Sequence, residues 1–297
     1  MVSHVHGTTR SHFMPVRLQF GKVVLNHSRA RTLYSYGRER LLWTSADRVL
    51  TVSNAIKRDL ASNYGIASHK VRVVYNGVDT NVFKPIMDPL TPNELQPFEG
   101  KKVVLFVGHF GLRKGLLFLI RAMKKVTAEV RDARLVCVGG TPSWLGENEY
   151  WTYLTNELES QELREKVLLL DSVPNHLLPT YLSLSKVLVL PSYYEAFGKV
   201  VIEAMACARP VIATRRGGAE EVVEDGKTGL LVNYGSVQEI ANALVTLLQD
   251  EPRARIMGNE GLKTVEAKFT WREVAHRVSE AYAELLEETP SMQSAYR

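Results

Sequence analysis

Nine short runs rich in Val, Ile and Leu punctuate the chain, at 2–6, 47–52, 71–75, 102–108, 134–139, 166–170, 186–191, 210–213 and 229–232. Between them lie segments of helical spacing at about 17–42, 53–64, 115–131, 148–162, 176–184, 198–207, 236–249, 252–268 and 271–288. This alternation is the strongest constraint in the sequence. Runs such as "KVVLFVG" and "KVLVLP" show no polar alternation, so neither face of these strands suits water. Helices must then cover both faces, which is the arrangement of a parallel α/β sheet. Ser236 with Glu239 and Thr270 with Glu273 have capping-box spacing and mark two helix starts. The stretch "KPIMDPLTPNELQPFEGKK", 84–102, has four prolines and no period, and reads as an interdomain linker.

The length of 297 residues suits two domains of about 100–200 residues each, and a composition 45% hydrophobic and 23% charged is that of a globular protein with a sizeable core. No stretch approaches the roughly 18 apolar residues of a membrane span, and "VSHVHGTTRSHF" offers no apolar core for a signal peptide. The expected location is cytoplasmic. Cys137 in "RLVCVGG" and Cys207 in "EAMACARP" have neither redox nor metal spacing and read as small buried hydrophobes. Basic charge is concentrated at one end. Residues 1–48 carry a net +6, against −1 for the remainder. Such a stretch, interleaved with Leu33, Tyr34, Leu41, Leu42 and Trp43, could lie peripherally on the anionic inner face of a membrane, face an anionic substrate, or be a solvated helix face. No helix-turn-helix, zinc or RNP pattern accompanies it, so nucleic acid is not an expected partner.

Chemistry concentrates in "EAFGKVVIE", Glu195 to Glu203. Ligands of an open parallel sheet sit outside the carboxyl ends of the strands, and Glu195 stands just beyond one of them. Phe197 and Gly198 then open a helix whose first N–H groups can seat a phosphate. A carboxylate does not bind phosphate oxygens, but it accepts hydrogen bonds from a vicinal diol of a sugar or ribose. A nucleotide sugar satisfies Glu195, the helix start and Glu203 in turn.

The block 190–232, "LPSYYEAFGKVVIEAMACARPVIATRRGGAEEVVEDGKTGLLV", resembles the E-x7-E signature of retaining glycosyltransferases of family 4, the glycosyl transferases group 1 with GT-B fold. Three further blocks agree in order: "ADRVLTVSNAIKRDL", "VRVVYNGVDTNVFKP" and "VGHFGLRKGLLFLIRAM". The resemblance covers residues from about 2 to about 285. It implies that Glu195 and Lys114 act at the donor sugar and diphosphate, that Glu203 holds the ribose, and that Arg113, Ala196, Phe197, Gly198 and Lys199 contact the donor. His109 stands where the family usually has an arginine; a largely neutral imidazole lacks the bidentate phosphate fork, leaving Arg113 or weaker leaving-group stabilisation. Ala196 and Asp171 stand at positions where the family usually has glycine. The segment at Asp171 commonly faces the base, so base preference is open between UDP- and GDP-linked donors. His6, closing "VSHVHG", matches a histidine that faces the sugar from the N-terminal domain.

The expected fold is therefore α/β, of GT-B type, with two doubly wound Rossmann-like domains, the N-terminal one incomplete: only three strand candidates precede the linker, against about six in a full domain. Expected boundaries are 1–88 for the partial N-terminal domain, 89–101 for the linker, 102–270 for the donor-binding domain, 271–288 for a helix crossing back, and 289–297 for a tail. The implied reaction is glycosyl transfer with retention from a nucleoside diphosphate sugar to a carbohydrate or lipid-linked acceptor. No cofactor and no obligatory metal are expected, the basic loop supplying the charge. Because the acceptor side looks short, the alternative is a non-catalytic nucleotide-sugar-binding fragment or subunit served by a separate N-terminal partner segment. A nicotinamide oxidoreductase fits poorly, since "VGHFGLRKG" is not G-x-G-x-x-G.

Overall fold

A computed structural model describes residues 2–5, 29–140 and 147–288, with side chains from 37 to 140 and from 150 to 288. The chain forms two compact units, one of residues 1–76 with 272–297 and one of residues 77–271.

Among the described residues the first unit holds a parallel sheet of three strands in the order β1 (Val2–Val5), β2 (Arg48–Thr51), β3 (Val71–Val73). Helices α1 (Arg29–Ser45) and α2 (Asn54–Tyr64) are its crossovers. The Ser53 hydroxyl caps α2 by accepting from Ile56 N, and Gly65, with φ of 69°, closes it in the left-handed conformation that glycine adopts without steric cost. The last helix, α10 (Trp271–Glu288), returns to this sheet. Val274, Val278 and Ala281 pack on Leu50 and Val74. At its far end Glu288 accepts from Arg48 at 2.7 Å, and Glu284 pairs with Arg72 at 2.9 Å. Of the apolar stripe along this helix, Trp271 and Tyr282 remain exposed.

The second unit is a doubly wound sheet of six parallel strands. Their order is β6 (Val167–Leu170), β5 (Ala133–Val138), β4 (Lys102–Val107), β7 (Val187–Leu190), β8 (Val211–Thr214), β9 (Gly229–Val232). β7 and β8 are buried at every position, as strands covered on both faces must be. One face carries Val104, Phe106, Leu135, Cys137, Val189 and Ile212 into a core with α3 (Leu116–Glu129), α4 (Glu147–Ser160) and α8 (Val237–Gln249). Alternate strand residues turn to the other face, where α5 (Leu178–Leu184) and α6 (Lys199–Ala206) lie and α9 (Glu251–Lys268) packs on α6. A short α7 (Ala219–Val222), too brief to show a period, follows β8.

The structure refines two expectations. By compactness the units part between Asn76 and Gly77, ahead of the expected boundary at 88. The proline-rich stretch is not a free linker but part of the second unit: it carries a 3-10 turn at Asn93–Phe98 and buries Leu95. It is held there by Ile86 N donating to the Ser183 hydroxyl at 3.2 Å and by the Tyr181 hydroxyl donating to the Glu94 carboxylate. Prolines exclude helical period yet still permit docking through side chains. Only half of the Ser236 capping box forms: Ser236 accepts from Glu239 N, while the Glu239 carboxylate turns to Asn233 N at 2.7 Å. Glu273, near the start of α10, pairs with Arg277 one turn on at 2.8 Å. The second unit begins and ends at one place. Val78 N donates to Phe269 O at 2.8 Å, and Val78 bridges Thr270.

Candidate active site

β4 has β5 on one side and β7 on the other, and the chain leaves β4 and β7 toward opposite faces of the sheet. Their connections diverge, and the crevice between them is where an open parallel sheet binds ligands. The loop after β4 turns at Gly108 and runs through a 3-10 turn, Leu112–Lys114, to Gly115. At Gly115 it meets the loop after β7. A Cβ there would stand 2.0 Å from the Pro191 carbonyl oxygen, and φ is +71°, so only glycine fits.

Across this junction Lys114 Nζ donates to Glu195 Oε1 at 2.6 Å, with both side chains largely buried. The stem of Lys114 lies over Gly108. Arg113 is tied to the same partner loop: its carbonyl accepts from Tyr193 N at 2.7 Å and its Nη1 donates to Tyr194 O at 3.3 Å. His109 is exposed beside them. Glu195 is braced from the other side by the loop after β8. Gly218 N donates to Glu195 O at 2.8 Å, while a Cβ on Gly217 would come within 2.4 Å of that oxygen and one on Gly218 within 2.3 Å of Ala196 O. "RRGG" is a backbone support for the first glutamate.

Beyond Glu195, Ala196 is half-buried and Phe197 is buried against the Phe269 ring at 5.9 Å. Gly198, at φ of 88°, caps α6 without a side chain, and Lys199 stands exposed on its first turn. Glu203 is the unusual group. It is only 9% exposed, and among the described residues its carboxylate has neither a hydrogen bond nor an ion pair. Burial raises its pKa, with Lys199 pulling weakly in the opposite direction. A buried charge without a partner is costly, and structures retain one chiefly where a ligand uses it. The Ser192 hydroxyl at the end of β7 is likewise buried without a hydrogen-bond partner among the described residues.

The geometry thus brings together Lys114, Arg113, His109 and Glu195 on two facing loops, and Ala196, Phe197, Gly198, Lys199 and Glu203 on the strand-to-helix turn behind them. His6 lies outside the described residues. The structure adds a rim that the sequence reading passes over. The Arg216 guanidinium sits 4.2 Å from the centre of the Tyr193 ring, which meets Tyr234 edge-on at 5.1 Å, and Tyr234 meets Phe118 at 5.3 Å. Burial pushes the Tyr234 hydroxyl up to about 12. These side chains come from separate segments, so no spacing joins them; the paired arginines of "TRRGG" are the sole local sign. Such a crevice, with fixed cations, a helix start and two carboxylates, can hold a diphosphate between hydroxyl-rich groups.

The family described as "Glycosyl transferases group 1" matches residues 88–264, more than half of the chain, and "Glycosyltransferase Family 4" matches residues 1–82. The chain belongs to the glycosyl transferases group 1 family. It is 33% identical over 254 residues to the alpha-maltose-1-phosphate synthase of Mycolicibacterium smegmatis, an alignment covering 82% of this chain and 65% of the synthase. The chain thus spans less than two thirds of the length of that curated relative. Sucrose-phosphate synthase from Thermosynechococcus elongatus superposes with a TM-score of 0.79 at 27% identity, over 97% of this chain and 68% of that one. Anabaena HepE, solved with UDP-glucose, superposes with a TM-score of 0.78 over 95% of this chain and 72% of its own, and at 23% identity it speaks for the fold alone. These neighbours are GT-B glycosyltransferases, and GT-B is the fold class of this family member. No helix among the described residues is long and apolar enough to cross a membrane.

Proposed function

We propose that the second unit binds a nucleoside diphosphate sugar and that the protein transfers the sugar, with retention at the anomeric carbon, to a carbohydrate or lipid-linked acceptor. Glu195 takes the sugar hydroxyls, Lys114 and Arg113 with the start of α6 take the diphosphate, and Glu203 takes the ribose. His109 lies along the diphosphate, and Ala196, Phe197, Gly198 and Lys199 form the turn on which it rests. Catalysis then consists of placing the acceptor against the donor and stabilising the departing diphosphate, without a required metal. His6 belongs to the same reaction on the sugar side. The reading places the protein in the cytoplasm, with peripheral contact at the inner membrane face left to the basic first 48 residues.

The observation that carries this reading is the Lys114–Glu195 pair at the crevice between β4 and β7. Each satisfies the other, and a donor offers both a further partner: oxyanions for the ammonium, hydroxyls for the carboxylate. Calorimetry with UDP and GDP tests it. Lys114→Ala should weaken binding of a nucleoside diphosphate about tenfold, the scale of one charge-assisted hydrogen bond, and leave binding of the free nucleoside unchanged. Equal losses with diphosphate and nucleoside, in a variant that melts like the parent, would remove Lys114 from the diphosphate site.

A further inference from the structure

We infer that Asp171 reads the base of the nucleotide and selects guanine, so that the donor is a guanosine diphosphate sugar. The inference rests on the proposed donor site and concerns its far end. On the β7 and β8 side of the crevice stand Glu195 and the glycines that brace it. On the β5 side the edge is equally built. Phe110 N donates to Gly140 O at 2.8 Å, and Gly139 lies so close to the loop after β4 that a Cβ would come within 2.5 Å of Gly108 O. Gly140, at φ of +64°, is the last small step before Asp171: a Cβ on it would stand 2.9 Å from Asp171 Oδ1. Gly139 N also donates to Leu170 O, so Asp171 is the first residue beyond the end of β6, level with this glycine turn. Strands lie about 4.8 Å apart, which puts the end of β6 roughly 10 Å from the end of β4, where the loop that carries Lys114 begins. A donor with its sugar at Glu195 and its diphosphate at Lys114 sends its nucleoside in this direction.

Asp171 is exposed, and among the described residues its carboxylate has no hydrogen bond or ion pair. It is an acceptor-only group with two oxygens side by side. Guanine is the base that presents two adjacent donors, N1–H and N2–H, to such a pair. Uracil presents one N–H flanked by two carbonyl oxygens, which the carboxylate would repel, and adenine and cytosine each set an amino group beside an acceptor nitrogen. The connection that follows Asp171 leads to α5, which packs against α6, the helix of Glu203. The carboxylate therefore sits on the segment that runs from the sheet edge to the proposed ribose site.

The test is calorimetry of the full chain with GDP, UDP and ADP, for the parent, Asp171→Asn and Asp171→Ala, with Glu203→Ala alongside. The parent should bind GDP at least about tenfold more tightly than UDP or ADP, since a site built for a donor pair strands its own polar groups when that pair is missing. Asp171→Asn should lose about tenfold for GDP and nothing for UDP, because an amide offers uracil one acceptor and one donor. Asp171→Ala should level the two. UDP binding as tightly as GDP, weakened by Glu203→Ala, would overturn the inference and leave the donor site intact. Equal loss of GDP and UDP in both Asp171 variants would make Asp171 a ribose group and also overturn it. If no nucleoside diphosphate binds the parent, the donor site itself fails and the inference with it.

Discussion

Replacing Glu203 with glutamine should make the protein more stable and a poorer nucleotide binder. The side chain is 9% exposed, it has no hydrogen bond or ion pair among the described residues, and burial raises its pKa. In the unfolded chain the same carboxylate is ionised in water at neutral pH without penalty. An unsatisfied buried polar group costs about 1–3 kcal/mol, more when charged, so exchanging an unpaired carboxylate for an unpaired amide of the same shape should gain about 1 kcal/mol. In a unit of residues 77–271, that is about 2–4 °C in melting temperature. The sign of the pH dependence follows from linkage. With its folded pKa above its unfolded one, Glu203 binds protons preferentially in the native state between the two values. Its contribution to stability therefore falls as pH rises through that window and is harmless below it. Glu203→Gln should show its full advantage near pH 7.5 and lose it toward pH 4, where the parent side chain is a neutral near-isostere. Thermal melts of parent and variant across this range provide the measurement, with GDP and UDP titrations on the same preparations. A variant that is no more stable at pH 7.5, or whose advantage does not change with pH, would refute the claim that this carboxylate is buried at a cost.

Two further perturbations probe the frame and the electrostatics of the site. Gly115→Ala adds a methyl 2.0 Å from the Pro191 oxygen in a left-handed residue, so it should cost about 2–4 kcal/mol. Gly37→Ala, where a Cβ inside α1 meets nothing within 4 Å among the described residues, should instead gain about 0.5–1 kcal/mol; denaturant titrations distinguish the two, and equal effects would contradict the close contact. Stripping divalent ions with a chelator should leave nucleoside diphosphate affinity within about twofold, because Lys114, Arg113 and the start of α6 are proposed to neutralise it. A large loss restored by Mg2+ or Mn2+ would bring a metal into the site.

The strands were legible because burial on both faces leaves little room for polar residues: runs such as "KVLVL" allow few readings, and the nine strands among the described residues lie where those runs put them. The helices around them follow from period and caps. What escaped was whatever depends on contacts distant in sequence. Residues 77–101 lack a period, so nothing local shows that Leu95 and Glu94 dock on the second unit. Lys114 and Glu195 were both singled out, but their direct pairing depends on β4 and β7 being neighbours across 81 positions. Glu203 is legible as a carboxylate for the ribose; its burial without a hydrogen-bond partner among the described residues comes from packing that no spacing encodes. Tyr193, Arg216 and Tyr234 went unremarked for the same reason, each being ordinary within its own loop.

The bond between Val78 and Phe269 has a practical meaning for anyone handling the gene. The second unit enters and leaves its host through one doorway, so its two ends are already side by side. A cassette of residues 77–271 could be lifted out for expression, exchanged for the corresponding cassette of a relative, or re-spliced with new ends in a surface loop, without a long bridging peptide. The opposite cut is less forgiving: stopping the chain at the end of the second unit would discard α10, and with it the Val274, Val278 and Ala281 contacts that cover Leu50 and Val74. A reading frame trimmed to what looks like a tidy C-terminal boundary would damage the start of the protein, not its end.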